Sequence, residues 1–172
     1  ILNEIKNHSV SAKSITSKEN NIINVKAISE ELGFVGTPYK IDADVLTKIV
    51  KANEIPIIAP LGLNSENQVY NINADDVATF LASSLNARRL IMISDVAGVL
   101  DKDNNLISEI NSAKAKEMIA SGVITQGMLV KINNAINIAD KVKGTSIIDG
   151  RVVHSILYEL LSDKGSGTLI RA

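Results

Sequence analysis

The chain has 172 residues, 45% of them hydrophobic and 22% charged, with 18 basic residues against 19 acidic ones and a formal net charge of −1. That balance lacks the basic excess of a nucleic-acid binder. The absence of cysteine rules out disulfide frameworks and thiolate zinc sites, and two histidines rule out a histidine-rich metal centre. Aromatics make up only 3%, with no tryptophan, so the core must be aliphatic, as suits a buried, mainly parallel sheet between helices.

The chain opens on Ile1, Leu2 and Asn3 as if in the middle of a helix over residues 1–8, and residues 9–15 read as a short strand. No leader peptide is visible, and the longest apolar run, residues 55–63, is too short for a bilayer span and contains two prolines. A polar turn at 17–21 precedes extended structure at 22–25. Residues 27–32 fit a helical turn or a strand equally well, and Gly33, Gly36 and Pro38 read as a loop or strand crossing. A helix is predicted from Asp42 or Asp44 to Asn53 with Val45, Leu46 and Ile49 inward. Residues 55–60 form a buried strand bounded by prolines, and 64–67 a hairpin turn between strands at 61–63 and 68–72.

The next helix carries the most informative string, Asn-Ile-Asn-Ala-Asp at 71–75. Asp75 heads this helix, with Ala78, Leu81, Ala82 and Leu85 as its inner stripe. An aspartate in that position is most often a cap. Two asparagines and an aspartate where a sheet hands over to a helix also suit a small polar ligand at the carboxyl edge of an α/β sheet. Residues 89–94 read as a strand buried on both faces, followed by Ser94, Asp95, Val96, Ala97, Gly98, Val99 and Leu100. A loop there can offer backbone amides and a carboxylate to a ribose or phosphate, although Asp-x-x-Gly is also an ordinary turn. A turn at 101–105 leads to a helix over 112–120 ended by Gly122, and a longer helix is expected over 128–142.

Thr125 or Gln126 caps that longer helix, Gly127 removes side-chain bulk at its mouth, and Lys131 lies about one turn in. A lysine so close to a helix N-terminus opposes the helix dipole. It is either a solvated surface residue or a cation held beside amides that face an anion. A strand at 145–149, a helix at 154–161 and a last strand at 168–170 complete an α/β pattern without repeats. In the tail, His154, Glu159 and Asp163 need only a capped helix and a turn to explain them.

Taken together, Asn71 to Asp75, Ser94 to Gly98 and Gly127 to Lys131 resemble, in order and spacing, the acetylglutamate kinases of the amino acid kinase family. The strings at 33–36, 57–60 and 147–151 are similar to family segments as well. The resemblance implies a three-layer αβα sandwich with a mainly parallel open sheet. It assigns residues 1–72 to the remainder of the acetylglutamate lobe and residues 73–172 to the nucleotide lobe. It implies transfer of the γ-phosphoryl group of ATP to the γ-carboxylate of N-acetyl-L-glutamate, a step of arginine biosynthesis in the cytoplasm.

By the same resemblance Asn71 and Asn73 bind substrate, Asp75 organises catalytic lysines, and Lys131 stabilises the phosphoryl group in flight. Ser94, Asp95, Val96, Ala97, Gly98, Val99 and Leu100, with Val123, Ile124, Thr125 and Gly127, line the ATP site. Mg2+ arrives on the nucleotide, so no protein metal ligand is assigned. A homo-oligomer, dimeric or larger, is expected, and association with a PII-type regulator is not legible in the residues.

The family's N-terminal lysine and glycine-rich strand–loop, its second glycine loop and its substrate-binding arginine have no counterpart here. The expectation is therefore an incomplete kinase fold with little or no activity alone. Lys164 stands where arginine-inhibited members commonly carry an acid, which disfavours a guanidinium ligand. The alternatives are another amino acid kinase, or a non-catalytic nucleotide- or effector-binding module.

Overall fold

The computed structural model describes residues 1–172, the side chain of Gln126 excepted. The chain packs as two compact units, Ile1–Ser84 and Leu85–Ala172. The sequence-based boundary after Ile72 separates proposed functions. By packing, the break follows Ser84, because the helix beginning at Ala74 belongs to the first core.

The first unit runs α1 (Leu2–Asn7), β1 (Ala12–Ile15), β2 (Ile23–Ala27), β3 (Val35–Ile41), α2 (Ala43–Lys51), β4 (Ile55–Ile58), β5 (Leu61–Leu63), β6 (Val69–Ile72) and α3 (Ala74–Ser84). Strands β1 and β4 pair in parallel, while β2, β3, β6 and β5 close into a four-stranded ladder. Ile15, Ile22, Ile23, Val25, Leu46, Ile49, Ile72 and Val77 form the core. Helix α2 starts where expected because the Asp42 carboxylate accepts the Val45 amide at 3.3 Å. Leu46 and Ile49 are buried and Val45 packs against the same core.

Of the loop or strand crossing expected around Gly33 to Pro38, the strand is what forms, over Val35–Ile41, while two other expectations need correction. Gly36 lies so close to β2 and β6 that a Cβ would stand 3.0 Å from the Lys26 carbonyl oxygen. Pro38 is tolerated because the β2–β3 register slips between Asn24 and Val25. Strand β4 is not fully buried: Ile55 remains exposed, since β1 is its only strand neighbour among the described residues. Helix α3 buries Val77, Thr79 and Ala82, whereas Ala78 is half-buried and Leu85 lies exposed beyond the helix end. Thr79 goes inward because its hydroxyl donates to the Asp75 carbonyl at 2.6 Å, which satisfies the polar atom inside the helix.

The second unit contains β7 (Leu90–Ser94), β8 (Glu109–Asn111), α4 (Ser112–Ala120), α5 (Gln126–Asn137), β9 (Thr145–Asp149), α6 (Ser155–Leu161) and β10 (Gly167–Arg171). Its sheet order is β7–β9–β10–β8, with β7–β9 and β10–β8 parallel and β9–β10 antiparallel. The mixed α/β fold with parallel pairings agrees with the sequence. Strand β9 is buried at every position, as a central strand should be. Strand β7, expected to be buried on both faces, is an edge strand that leaves Ile93 exposed. Helix α5 begins and ends earlier than expected, with Thr125 at the cap position and Ile138 closing it.

Helix α6 is amphipathic in reverse. It buries Ser155 and Glu159 and turns Leu157, Leu160 and Leu161 outward. The Glu159 carboxylate accepts from Ser146 Oγ at 2.5 Å, Arg89 Nη1 at 3.1 Å and the Ser166 amide at 2.9 Å. These donors satisfy both oxygens of the buried carboxylate, as a buried charge requires.

Candidate functional site

The loop after β7 and the first turns of α5 enclose a cleft of about 560 Å³ in the second unit. It is lined by Ser94, Asp95, Val96, Gly98, Val99, Leu100, Val123, Ile124, Thr125, Gly127 and Lys131. Ala97 belongs to the same loop and is exposed, but does not line the cleft. Asp101, Asn104 and Met128 also line it and were not singled out by sequence. The 101–105 turn was legible only as a turn: the Asp101 carboxylate accepts the amides of Asp103 at 2.9 Å and Asn105 at 2.8 Å. These bonds, Asn105's first, hold the Asp101 carboxyl below its usual pKa.

The chemistry of the cleft follows from its elements. Helix α5 starts at Thr125 without a capping bond from that side chain, and Thr125, Gly127 and Met128 border the cleft. Helix amides and the dipole favour an anion at such an end. A Cβ on Gly127 would meet nothing within 4 Å, so this first turn opens onto free space. Lys131, half-buried one turn further on, adds a cation to the same wall. Asp95 lies opposite in kind: exposed, acceptor-only, with Ser94 Oγ donating to it at 3.4 Å. The result is an anion-favouring end, a carboxylate able to take hydroxyls, and an apolar wall of Val96, Val99, Leu100 and Ile124.

Beside the loop, β9 ends in a side-chain clamp. Asp149 faces Ser94 across the β7–β9 ladder, and the Gly150 amide donates to the Ser94 carbonyl at 2.8 Å. Asp149 receives the Arg151 Nε at 2.9 Å, Nη2 at 2.8 Å and backbone amide at 2.9 Å. The guanidinium bonds first, then the amide, lower the Asp149 pKa from 3.8 to about 2. A depressed carboxyl pKa stabilises the fold above pH 4, and that contribution is lost as pH falls through about 2. The Asp149 carboxyl ¹³C shift should titrate with a midpoint near 2, and Arg151→Gln should move it up toward 3.8. A wild-type midpoint near 3.8 would contradict the clamp.

The remaining three sequence-predicted residues lie in the first unit. Asn71 is exposed in β6, where its amide donates to the Phe34 carbonyl at 2.8 Å. Asn73, not Asp75, caps α3: its Oδ1 accepts the amides of Asp75 at 2.9 Å and Asp76 at 3.3 Å. Asp75 therefore sits in the first helical turn, half-buried. The capping role that Asp75's position first suggested thus belongs to Asn73, two residues earlier.

Among the described residues no group of three or more His, Asp or Glu side chains could hold a metal ion, and no helix is long and apolar enough to cross a membrane. The sequence model of the amino acid kinase family matches residues 2–149. The chain belongs to the amino acid kinase family. An acetylglutamate kinase of Pelagibacter ubique (strain HTCC1062) is 59% identical over 161 residues, which cover 93% of this chain and 56% of that protein. This family member spans about half the length of the curated relatives it matches. Among solved structures, smu.665 from Streptococcus mutans UA159 superposes with a TM-score of 0.82 at 29% identity, covering 99% of this chain and 64% of that one. The N-acetylglutamate synthase of Neisseria gonorrhoeae, complexed with coenzyme A and L-arginine, superposes with a TM-score of 0.84 at 22% identity. It covers 94% of this chain and 38% of that one. The second likeness shows a shared amino acid kinase fold.

Proposed function

We propose that this chain carries the nucleotide-binding part of an acetylglutamate kinase. The complete protein would use ATP to phosphorylate the γ-carboxylate of N-acetyl-L-glutamate in arginine biosynthesis. The observation that carries this reading is the single cleft joining the 94–100 loop to the start of α5, in a chain 59% identical to an acetylglutamate kinase. Phosphoryl transfer needs positioning and charge stabilisation more than a protein nucleophile, and the cleft offers both.

In this reading the α5 amides and Lys131 hold the phosphates, and Lys131 stabilises the charge that spreads over the transferring group. Asp95 takes ribose hydroxyls, while Val99, Leu100 and Ile124 face the base. Mg2+ comes with the phosphates, and the cleft's carboxylates, Asp95 and Asp101, are too few to form a protein cage for it. Asn71 and Asn73 are assigned to acetylglutamate and Asp75 to ordering lysines about the reacting groups. The lobe assignment, residues 1–72 for substrate and 73–172 for nucleotide, belongs to the same proposal. So do a homo-oligomeric state, a cytoplasmic location and little or no activity of this chain alone.

Gly127 gives a steric test. A Cβ there meets nothing within 4 Å, so Gly127→Leu should fold at least as stably as the wild type, leucine being the better helix former. Projecting beside the phosphate end of the cleft, it should weaken Mg-ATP binding by roughly tenfold or more, the scale of one mismatched contact. Unchanged affinity in calorimetric titration would move the nucleotide away from α5.

A further inference from the structure

The cleft's innermost wall is tied to a residue far along the chain. Val99 is 1% exposed and lines the cleft, and its amide donates to the hydroxyl of Thr168, 69 residues away, at 2.8 Å. The same hydroxyl donates to the Ile107 carbonyl at 2.6 Å, and the Ile107 amide donates to the Val99 carbonyl at 2.9 Å. Both backbone groups of Val99 are thus satisfied through one closed circuit. Thr168 is 0% exposed, in strand β10 between the buried β9 and β8. Gly98 completes the fit. At φ +142° it passes so close to Thr168 that a Cβ would stand 2.6 Å from the hydroxyl oxygen.

We propose that Thr168 is a positioning residue for nucleotide binding: its hydroxyl fixes the Gly98–Val99 wall from behind. The inference rests on the nucleotide reading of the cleft. Thr168 touches no ligand itself. Its Oγ acts as donor and acceptor at once, which a serine reproduces and a valine of the same shape does not. Without it, a buried amide at Val99 has no acceptor, and the loop must move to find one. Because the loop conformation is set at Gly98, where a side chain is excluded, that movement changes the cleft wall and not the sheet behind it.

The test compares wild type, Thr168→Val and Thr168→Ser in the full chain, by Mg-ATP calorimetry and by hydrogen exchange of the Val99 amide. The expected result is a slow-exchanging Val99 amide in wild type and Thr168→Ser. Thr168→Val should show faster exchange and an affinity about tenfold weaker, with Thr168→Ser restored to the wild-type value. Equal affinities for wild type and Thr168→Val overturn the proposal while leaving the nucleotide reading intact. So does equal weakening in the serine and valine variants, because restoring the hydroxyl would then restore nothing. A rapidly exchanging Val99 amide in the folded wild type overturns it without recourse to any variant that fails to fold. If the folded wild type binds no Mg-ATP, the nucleotide reading fails and this role falls with it.

Discussion

Glu159→Ala should cost the second unit about 3–5 kcal/mol, the range found when a buried, hydrogen-bonded ion pair loses one member. Three groups lose the carboxylate at once: the hydroxyl of Ser146, which is 0% exposed, the Ser166 amide, and the Arg89 guanidinium, which keeps the Glu159 carbonyl at 3.3 Å. Arg89 keeps partial access to water and recovers some solvation, but Ser146 does not. Truncation also leaves a void between α6 and the sheet. A unit of this size has only some 5–10 kcal/mol of stability, so the variant should keep about half of it or less and melt at a markedly lower temperature. Ser146→Ala, which removes one partner and leaves the carboxylate two others, should cost about 1 kcal/mol. Thermal and urea unfolding of the three proteins measure this. A loss below about 1 kcal/mol for Glu159→Ala would mean that α6 does not depend on its buried carboxylate.

Gly167→Ala should be comparably damaging for a different reason. A Cβ at this position would overlap the backbone carbonyl oxygen of Ile147, with the Ile148 Cα also within 3.0 Å. Neither can yield as a flexible side chain could, since Ile147 and Ile148 are fully buried in β9. The antiparallel β9–β10 pairing must then open where Gly167 faces Ile148. Overpacking of this kind costs about 1–3 kcal/mol when side chains adjust and more when backbone must move. At about 3 kcal/mol the unfolding midpoint should drop by more than roughly 10 °C. Nucleotide affinity should fall too, because Thr168 is the next residue and its link to Val99 depends on β10 holding its register.

What could be seen in the sequence was what is local. Helix α2 was legible because its cap, Asp42, and its inner residues Leu46 and Ile49 lie within one short segment. The hairpin at 64–67 and the turn at 101–105 were equally clear, each closed by an Asn64 or Asp101 side chain onto nearby amides. Most of the cleft was named in advance because it comes from two continuous strings, one after a strand and one at a helix start. Asp101, Asn104 and Met128 were missed because a turn pattern does not show which side its residues face.

Errors arose where partners are distant. The tail around Glu159 reads as a capped helix and a turn, but its carboxylate meets Arg89 and Ser146, 70 and 13 residues away. The edge position of β7 depends on strand order, which periodicity does not encode. The stripe of α3 shifted because Thr79 could bury its hydroxyl against the Asp75 carbonyl, a local bond that hydrophobicity counting ignores. Thr168, an ordinary strand residue by pattern, acquires its importance from Val99 and Ile107 alone.

The cleft between the 94–100 loop and α5 should bind a nucleotide. Isothermal titration of Mg-ATP into this chain, with Lys131→Ala and Asp95→Ala as companions, decides it. Saturable binding to the wild type is expected, with affinity reduced about tenfold or more in each variant, as loss of a charge-assisted contact implies. A folded wild type that takes up no Mg-ATP, or variants that bind it as tightly as the wild type, would contradict it.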